Sequence, residues 1–314
     1  MNKTVTHFLA AIAATALFSV SPISAEDEGS ILVTGATSGI GRNLAETLAR
    51  EGHHVYAGAR TNAEMAELDA IENITAVRLD VTKQDQIDDA VAFIEERGTG
   101  LYGLVNNAGI YDGGPILQTD TDVMNLVYAV NVEGVLRVTK AFAPMIIESK
   151  GRIATTGSIA GTISSPGMAA YSGSKHYIEA FTDSLAAEVE PMGVSVSVVE
   201  PGNYQTHIRR NSMKRAMARV VADGGVITGA MEKQYKGLEE RELSYPLPDE
   251  VTEAFKDALL SETPLRRYVV VSNEVEHTMT LETKIRELVE LNAWGPYSDS
   301  DEDLVARLKA ALNE

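Results

Sequence analysis

The chain has 314 residues, 44% apolar and 23% charged, enough to bury a large α/β core as one domain or two smaller ones. Its formal net charge of −18 argues against nucleic acid as a partner, because like charge repels the phosphate backbone. With no cysteine it forms no disulfide and offers no thiolate ligand or thiol nucleophile.

In chain order, Lys3 precedes the uncharged run "FLAAIAATALFSV" (8–20), followed by Pro22 and a small residue, Ala25, ahead of Glu26. A basic start, a short apolar core and a small residue at the cut predict a secretory signal peptide over 1–25 and an exported, periplasmic protein. The alternative is an uncleaved leader that anchors the chain to the membrane. With no twin arginine before it, export in the unfolded state is expected.

From Ser30 onward, β-branched runs alternate with segments of helical spacing. "SILVTG", "HHVYAG", "ITAVRL", "LYGLVNN", "GRIATTGS", "GVSVSVVEPG" and "RYVVV" read as strands, with helices such as 42–51, 62–71 and 83–97 between the early ones. Alternation of this kind predicts right-handed βαβ units and a doubly wound parallel sheet with helices on both faces. No linker or repeat divides 26–314, which is read as one domain. Residues 203–248 interrupt the alternation and predict a helical lid over an active site, hinged near Gly224–Gly225 and Pro246. The tail 273–314 predicts two helices, the second capped by Asp299 or Ser300.

"ILVTGATSGIG" lies between the first strand and the first helix, where glycines let the backbone turn and approach a pyrophosphate at a helix N-terminus. Gly35, Ser38, Gly39, Ile40 and Gly41 are the candidate contacts; a plain glycine-rich turn is the alternative. Where an NAD site carries an acid at the end of the second strand, this chain has Ala59 followed by Arg60. An arginine there suits a 2′-phosphate and favours NADP(H) over NAD(H), unless Arg60 is only a solvated side chain. Asp80 could accept from the adenine amino group or cap the helix beginning near Lys83. Asn106 could tie neighbouring strand ends, and Asn107, Ala108 and Gly109 would let the backbone pass close to the cofactor.

"TGATSGIG", "NNAG", "NVEGV", "GSIAG", "YSGSK" and "EPGNYQT", in this order and spacing, resemble the classical short-chain dehydrogenases/reductases over about residues 30–206. The last motif is similar to the hydroxysteroid and retinol dehydrogenase branch. The resemblance implies a single Rossmann-type domain with about seven parallel strands, hydride transfer on a carbonyl or alcohol without a metal, and a homo-oligomer. It implies Tyr171 as general acid or base, with Lys175, one helical turn on, lowering the phenol pKa and holding the nicotinamide ribose. Ser158 would polarise the substrate oxygen, and Asn131 would hold a relay water. Pro201, Gly202 and Thr206 would border the nicotinamide. Ser158 as a turn serine and Asn131 as a backbone-bonded helix residue are the plainer alternatives.

His176 and His207 read as structural or solvated, and no cluster has metal-ligand spacing. The lid stretch "HIRRNSMKRAMARVV" carries Arg209, Arg210, Lys214, Arg215 and Arg219 without an acid. It could meet cofactor phosphates, an anionic substrate or a membrane surface, although a solvated face explains most such runs. Met213 and Met217 suggest an adaptable apolar underside and a hydrophobic small-molecule substrate. The rival functions are a silent dinucleotide-binding sensor or scaffold and a sugar-nucleotide epimerase or dehydratase.

Overall fold

The computed structural model describes residues 29–313; the leader read at 1–25 lies outside them. The first half of the chain runs β1 (Ser30–Val33), α1 (Gly39–Arg50), β2 (Val55–Ala59), α2 (Asn62–Asp69), β3 (Ile74–Arg78), α3 (Gln84–Arg97) and β4 (Leu101–Asn106). Next come α4 (Thr121–Tyr128), α5 (Val135–Glu148), β5 (Arg152–Thr156), α6 (Ala169–Val189) and β6 (Ser195–Pro201). The remainder is α7 (Ile208–Ala222), α8 (Gly229–Leu243), α9 (Asp249–Leu260), β7 (Arg267–Val270), α10 (Glu274–Asn292) and α11 (Asp301–Ala311). All seven strands expected from the sequence form one parallel sheet in the order β3-β2-β1-β4-β5-β6-β7.

Period-two alternation sorts the strand side chains between two cores. Ile31, Val33, Val55 and Ala57 face Leu44 and Leu48 of α1 and Phe255 and Leu259 of α9. Leu32 and Tyr56 point the other way, toward Ile87, Ile94, Phe142 and Ile146 of α3 and α5. The central strands are buried on both faces, which is why they read as continuous apolar runs. β7 has one strand neighbour and stays half exposed.

The strand order reverses at β1, whose neighbours are β2 and β4, and the loops leaving β1 and β4 part there to open a crevice. Gly35 turns at φ +64°, and a Cβ on it would stand 2.9 Å from Ala108 Cα. Between α4 and α5 the helix widens into a π turn over 129–134, which carries Asn131. Ser300 caps α11 by accepting from Asp303 N, while Asp299 pairs with Arg307. No helix among the described residues is long and apolar enough to cross a membrane.

Glu200, one residue before the end of β6, is 2% exposed. Burial pushes its carboxyl up to about 7, the nearby Glu179 adds to the rise, and Arg267 and Lys284 oppose it. The folded chain therefore holds this proton more tightly than the unfolded chain, and stability falls as pH rises from about 4.5 to about 7. Glu200→Gln is expected to stabilise the protein by about 2 kcal/mol at pH 8 and to leave it nearly unchanged at about pH 4. Urea unfolding at the two pH values checks this; equal effects at both would refute it.

Candidate active site

The crevice is a cleft of about 390 Å³ walled by the ends of β1, β2, β4, β5 and β6, by α6, and by residues of the lid. Its floor is stitched by side chains. Thr34 Oγ1 accepts from Asn107 N at 2.9 Å and Ala108 N at 3.0 Å. Asn107 Nδ2 donates to Thr34 O at 3.0 Å and Gly35 O at 3.2 Å, and its Oδ1 accepts from Thr156 Oγ1 at 3.2 Å. Asn107 therefore joins the ends of three strands, the role the sequence suggested for Asn106. Asn106 instead donates to Thr139 on α5.

At one end of the cleft stand Gly35, Ser38, Gly39 and Ile40. Ser38 precedes α1 without capping it, and the first turn holds no acid. The donors of that turn have no intrahelical acceptor and meet an open cleft. Gly41 is not in the wall. A Cβ on it would lie 2.3 Å from Asn107 Nδ2 and 2.5 Å from Gly35 O, so this glycine lets the helix close onto the floor. Thr206 flanks the same loop, its methyl 3.3 Å from where a Cβ of Gly39 would be.

Along the sheet edge, Arg60 and Asp80 line the cleft. Arg60 is exposed, and among the described residues its guanidinium pairs with no carboxylate. The sequence reading missed Arg78, which pairs in register with Ala59 and donates to Arg60 O at 2.7 Å. The Arg78 guanidinium thus sits against the Arg60 backbone and also bonds Asn62 Oδ1; the signal was an arginine ending an apolar strand. Asp80 accepts from Thr82 N and Thr82 Oγ1 and does not cap α3, whose preceding residue is Lys83.

On the opposite wall, Ser158, Tyr171 and Lys175 come together. Lys175 is 6% exposed; its Nζ donates to Thr156 O at 2.7 Å and lies 5.7 Å from the Tyr171 ring centre. Burial pushes Lys175 down to about 8, against the pull of Glu179 one turn on. Burial raises the Tyr171 phenol, the Ser158 hydroxyl and the Arg209 charge draw it back, and Tyr111 opposes them. Ser158 and Arg209 thus lower the phenol where the resemblance implied that Lys175 would. Ser158 is the turn serine of the plainer reading, its Oγ accepting from Ala160 N at 3.1 Å, and it also stands in the wall of the cleft.

Asn131 lies behind the wall. Its amide donates to Ile110 O and Ser174 Oγ, and its Oδ1 accepts from Ile110 N, clamping the β4 loop to α6. Ala108, Gly109, Pro201, Gly202 and Thr206 all border the cleft, as does exposed His207. His176 bonds Ser172 O within its own helix.

The lid of 203–248 folds as α7 and α8, and two carboxylates in it or beneath it pass unnoticed in the sequence. Glu242 on α8 accepts from Arg209 N at 2.8 Å and Arg210 N at 3.2 Å, capping α7, and binds Arg210 Nε at 2.7 Å. Asp112, 2% exposed in the β4 loop, takes Arg215 at 3.2 Å and Arg219 at 3.1 Å. Burial raises this carboxyl, but hydrogen bonds from Arg219 and Arg215 outweigh it and hold Asp112 below the usual range. Neither carboxylate is near its arginines in sequence, so no local signal could have paired them.

The short chain dehydrogenase family model matches residues 30–216. The mitochondrial D-beta-hydroxybutyrate dehydrogenase of Bos taurus is 39% identical over 196 residues, 59% of this chain and 56% of that protein. The chain thus spans little more than half the length of that relative. Retinol dehydrogenase 16 of Rattus norvegicus is 34% identical over 256 residues, 76% of this chain and 79% of that protein. A short chain dehydrogenase/reductase from Burkholderia phymatum, solved in complex with NAD, superposes with a TM-score of 0.70 at 26% identity, covering 88% of this chain and 99% of that one. The chain belongs to the short-chain dehydrogenase family of oxidoreductases, in the branch of the hydroxybutyrate, hydroxysteroid and retinol dehydrogenases.

Asp112→Asn removes the charge that holds the lid arginines to the β4 loop. The expected outcome is a loss of about 2 kcal/mol in stability and faster proteolytic cutting within 203–248. Limited proteolysis with mapped cut sites checks it, and an unchanged rate would show that the pairing does not restrain the lid.

Proposed function

We propose that the protein is an NADP(H)-dependent oxidoreductase that interconverts a carbonyl and an alcohol on a small, largely apolar molecule. The observation that carries this reading is the placement of Ser158, Tyr171 and Lys175 on one wall of a cleft whose far end is the uncapped first turn of α1. The residues present fit a dinucleotide: the open N–H groups of Gly39 and Ile40, with Ser38 and Thr206, suit a pyrophosphate. Arg60 beside Arg78 suits a 2′-phosphate in place of the acid that an NAD site carries. Asp80 keeps an oxygen for the adenine amino group, and Lys175 has donors left for ribose hydroxyls. When bound, the nicotinamide supplies the hydride for reduction or accepts it in oxidation.

The chain's own residues manage the oxygen of the substrate. Ser158 Oγ, which bonds Pro201 O at a long 3.4 Å and also hydrogen-bonds Tyr171, turns to donate to the carbonyl oxygen. Tyr171 Oη gives its proton to that oxygen in reduction and takes it from the hydroxyl in oxidation. Lys175, as an ammonium, favours the phenolate left behind. Asn131 fixes the wall of this chamber by clamping Ile110, and its Oδ1 retains a lone pair for a relay water.

Tyr171→Phe is expected to lower turnover of ketones or aldehydes by at least about 100-fold while NADPH still binds. Steady-state kinetics alongside a fluorescence titration separate the two; preserved turnover would remove Tyr171 from the chemistry. Arg60→Asp is expected to weaken NADPH by about 30-fold or more and to leave NADH binding little changed. An unchanged NADPH/NADH affinity ratio would overturn the preference.

A further inference from the structure

Four of the five cations on α7 have settled surroundings. Arg210 is paired with Glu239 and Glu242, and Arg215 and Arg219 with Asp112. Lys214 is exposed above the Tyr235 ring. Arg209 differs. Its side chain lines the cleft, and among the described residues no carboxylate pairs with its guanidinium. That group makes one long bond, Nη2 to Asn203 Oδ1 at 3.4 Å, and lies 5.4 Å from the Tyr111 ring centre. Glu242 on α8 is already engaged with the Arg209 and Arg210 backbone amides and the Arg210 side chain.

A guanidinium has five donors, and among the described residues this one uses a single donor, to Asn203. A part-buried cation without a counter-charge is unfavourable, so an anion that enters the cleft gains what the protein has left open. The position says which molecule that is. Tyr111 packs edge-on against Tyr171, with ring centres 5.3 Å apart, so Arg209 stands one aromatic ring away from the phenol. The glycine loop at α1 has Thr206 against it instead. Ile110, Ile159, Ile163, Met168 and Tyr204 supply apolar wall nearby.

We infer that Arg209 anchors the substrate through a carboxylate, and that the natural substrates are oxo acids and hydroxy acids with an apolar body. The planar fork of a single arginine matches a planar carboxylate with two parallel bonds. The substrate class rests on the dehydrogenase reading above; the anion site does not.

Two measurements test this. Hexanoate and hexan-1-ol are titrated by calorimetry into the NADP-loaded protein, and straight-chain oxo acids of several lengths are compared with their methyl esters as substrates. Hexanoate is expected to bind at least about 10-fold more tightly than hexan-1-ol, and the best oxo acid to exceed its ester in kcat/KM by about 30-fold. Arg209→Gln should collapse both ratios toward one, Arg209→Lys should give intermediate ratios, and Lys214→Gln should leave both as in the wild type. Equal binding of hexanoate and hexan-1-ol, or ratios unchanged in Arg209→Gln, overturns the inference. Tyr171-dependent turnover of ketones without preference for acids would sink the carboxylate anchor and keep the dehydrogenase. Arg209-dependent hexanoate binding without any turnover would do the reverse.

Discussion

Everything at the site hangs on how three diverging strand ends are held together. Parallel strands part where their order reverses, and the backbone groups there lose ladder partners that burial would make costly to leave unpaired. The Asn107 side chain replaces them, reaching Thr34 and Gly35 after β1 and Thr156 at the end of β5. Two further features follow from that one amide. α1 must carry glycine at position 41, because a side chain would strike Asn107 Nδ2. Thr156, fixed through its hydroxyl, presents its carbonyl to Lys175 at 2.7 Å. A continuous chain of hydrogen bonds thus runs from the glycine loop to the lysine across the cleft.

The second constraint is electrostatic. Lys175 is a nearly buried ammonium whose bonded partner is a carbonyl rather than a carboxylate, and burial accordingly pushes it down to about 8. Glu179, held by Arg267 at 3.0 Å, limits that drop from one turn below. Tyr171 feels burial in one direction and Ser158 and Arg209 in the other. The net effect raises the phenol and lowers the ammonium, so Tyr171 holds its proton more tightly than Lys175 does. Four elements contribute, β5, α6, α7 and the β4 loop, so the electrostatics of this wall depend on the lid being seated.

Seating the lid is the task of Glu242 and Asp112. The first neutralises Arg210 while capping α7; the second binds two arginines from below. Each is almost fully buried and multiply bonded, the condition under which a buried carboxylate is tolerated. The basic run that looked like a solvated face in the sequence is therefore mostly internal wiring, and Arg209 stands out because this wiring passes it by.

The sequence by itself determined the sheet and the placement of side chains carried on single elements. The seven strands were legible because burial on both faces writes continuous apolar runs. Gly35, Gly39, Tyr171 and Lys175 were legible because each motif is contained within a turn or two of chain, where spacing alone fixes geometry. Tertiary structure decided what depends on residues meeting from afar. It gave Asn107 the strand-tying role suggested for Asn106, set Gly41 and Asn131 behind the wall, and placed Arg78 beside Arg60 through strand register. It also paired Asp112 with arginines about a hundred residues away and left Arg209 unpaired beside Tyr111. The physical reason is common to all of them: periodicity reports which face of an element is buried, whereas a charge or an amide takes its role from whatever the packed fold brings within about 3 Å of it.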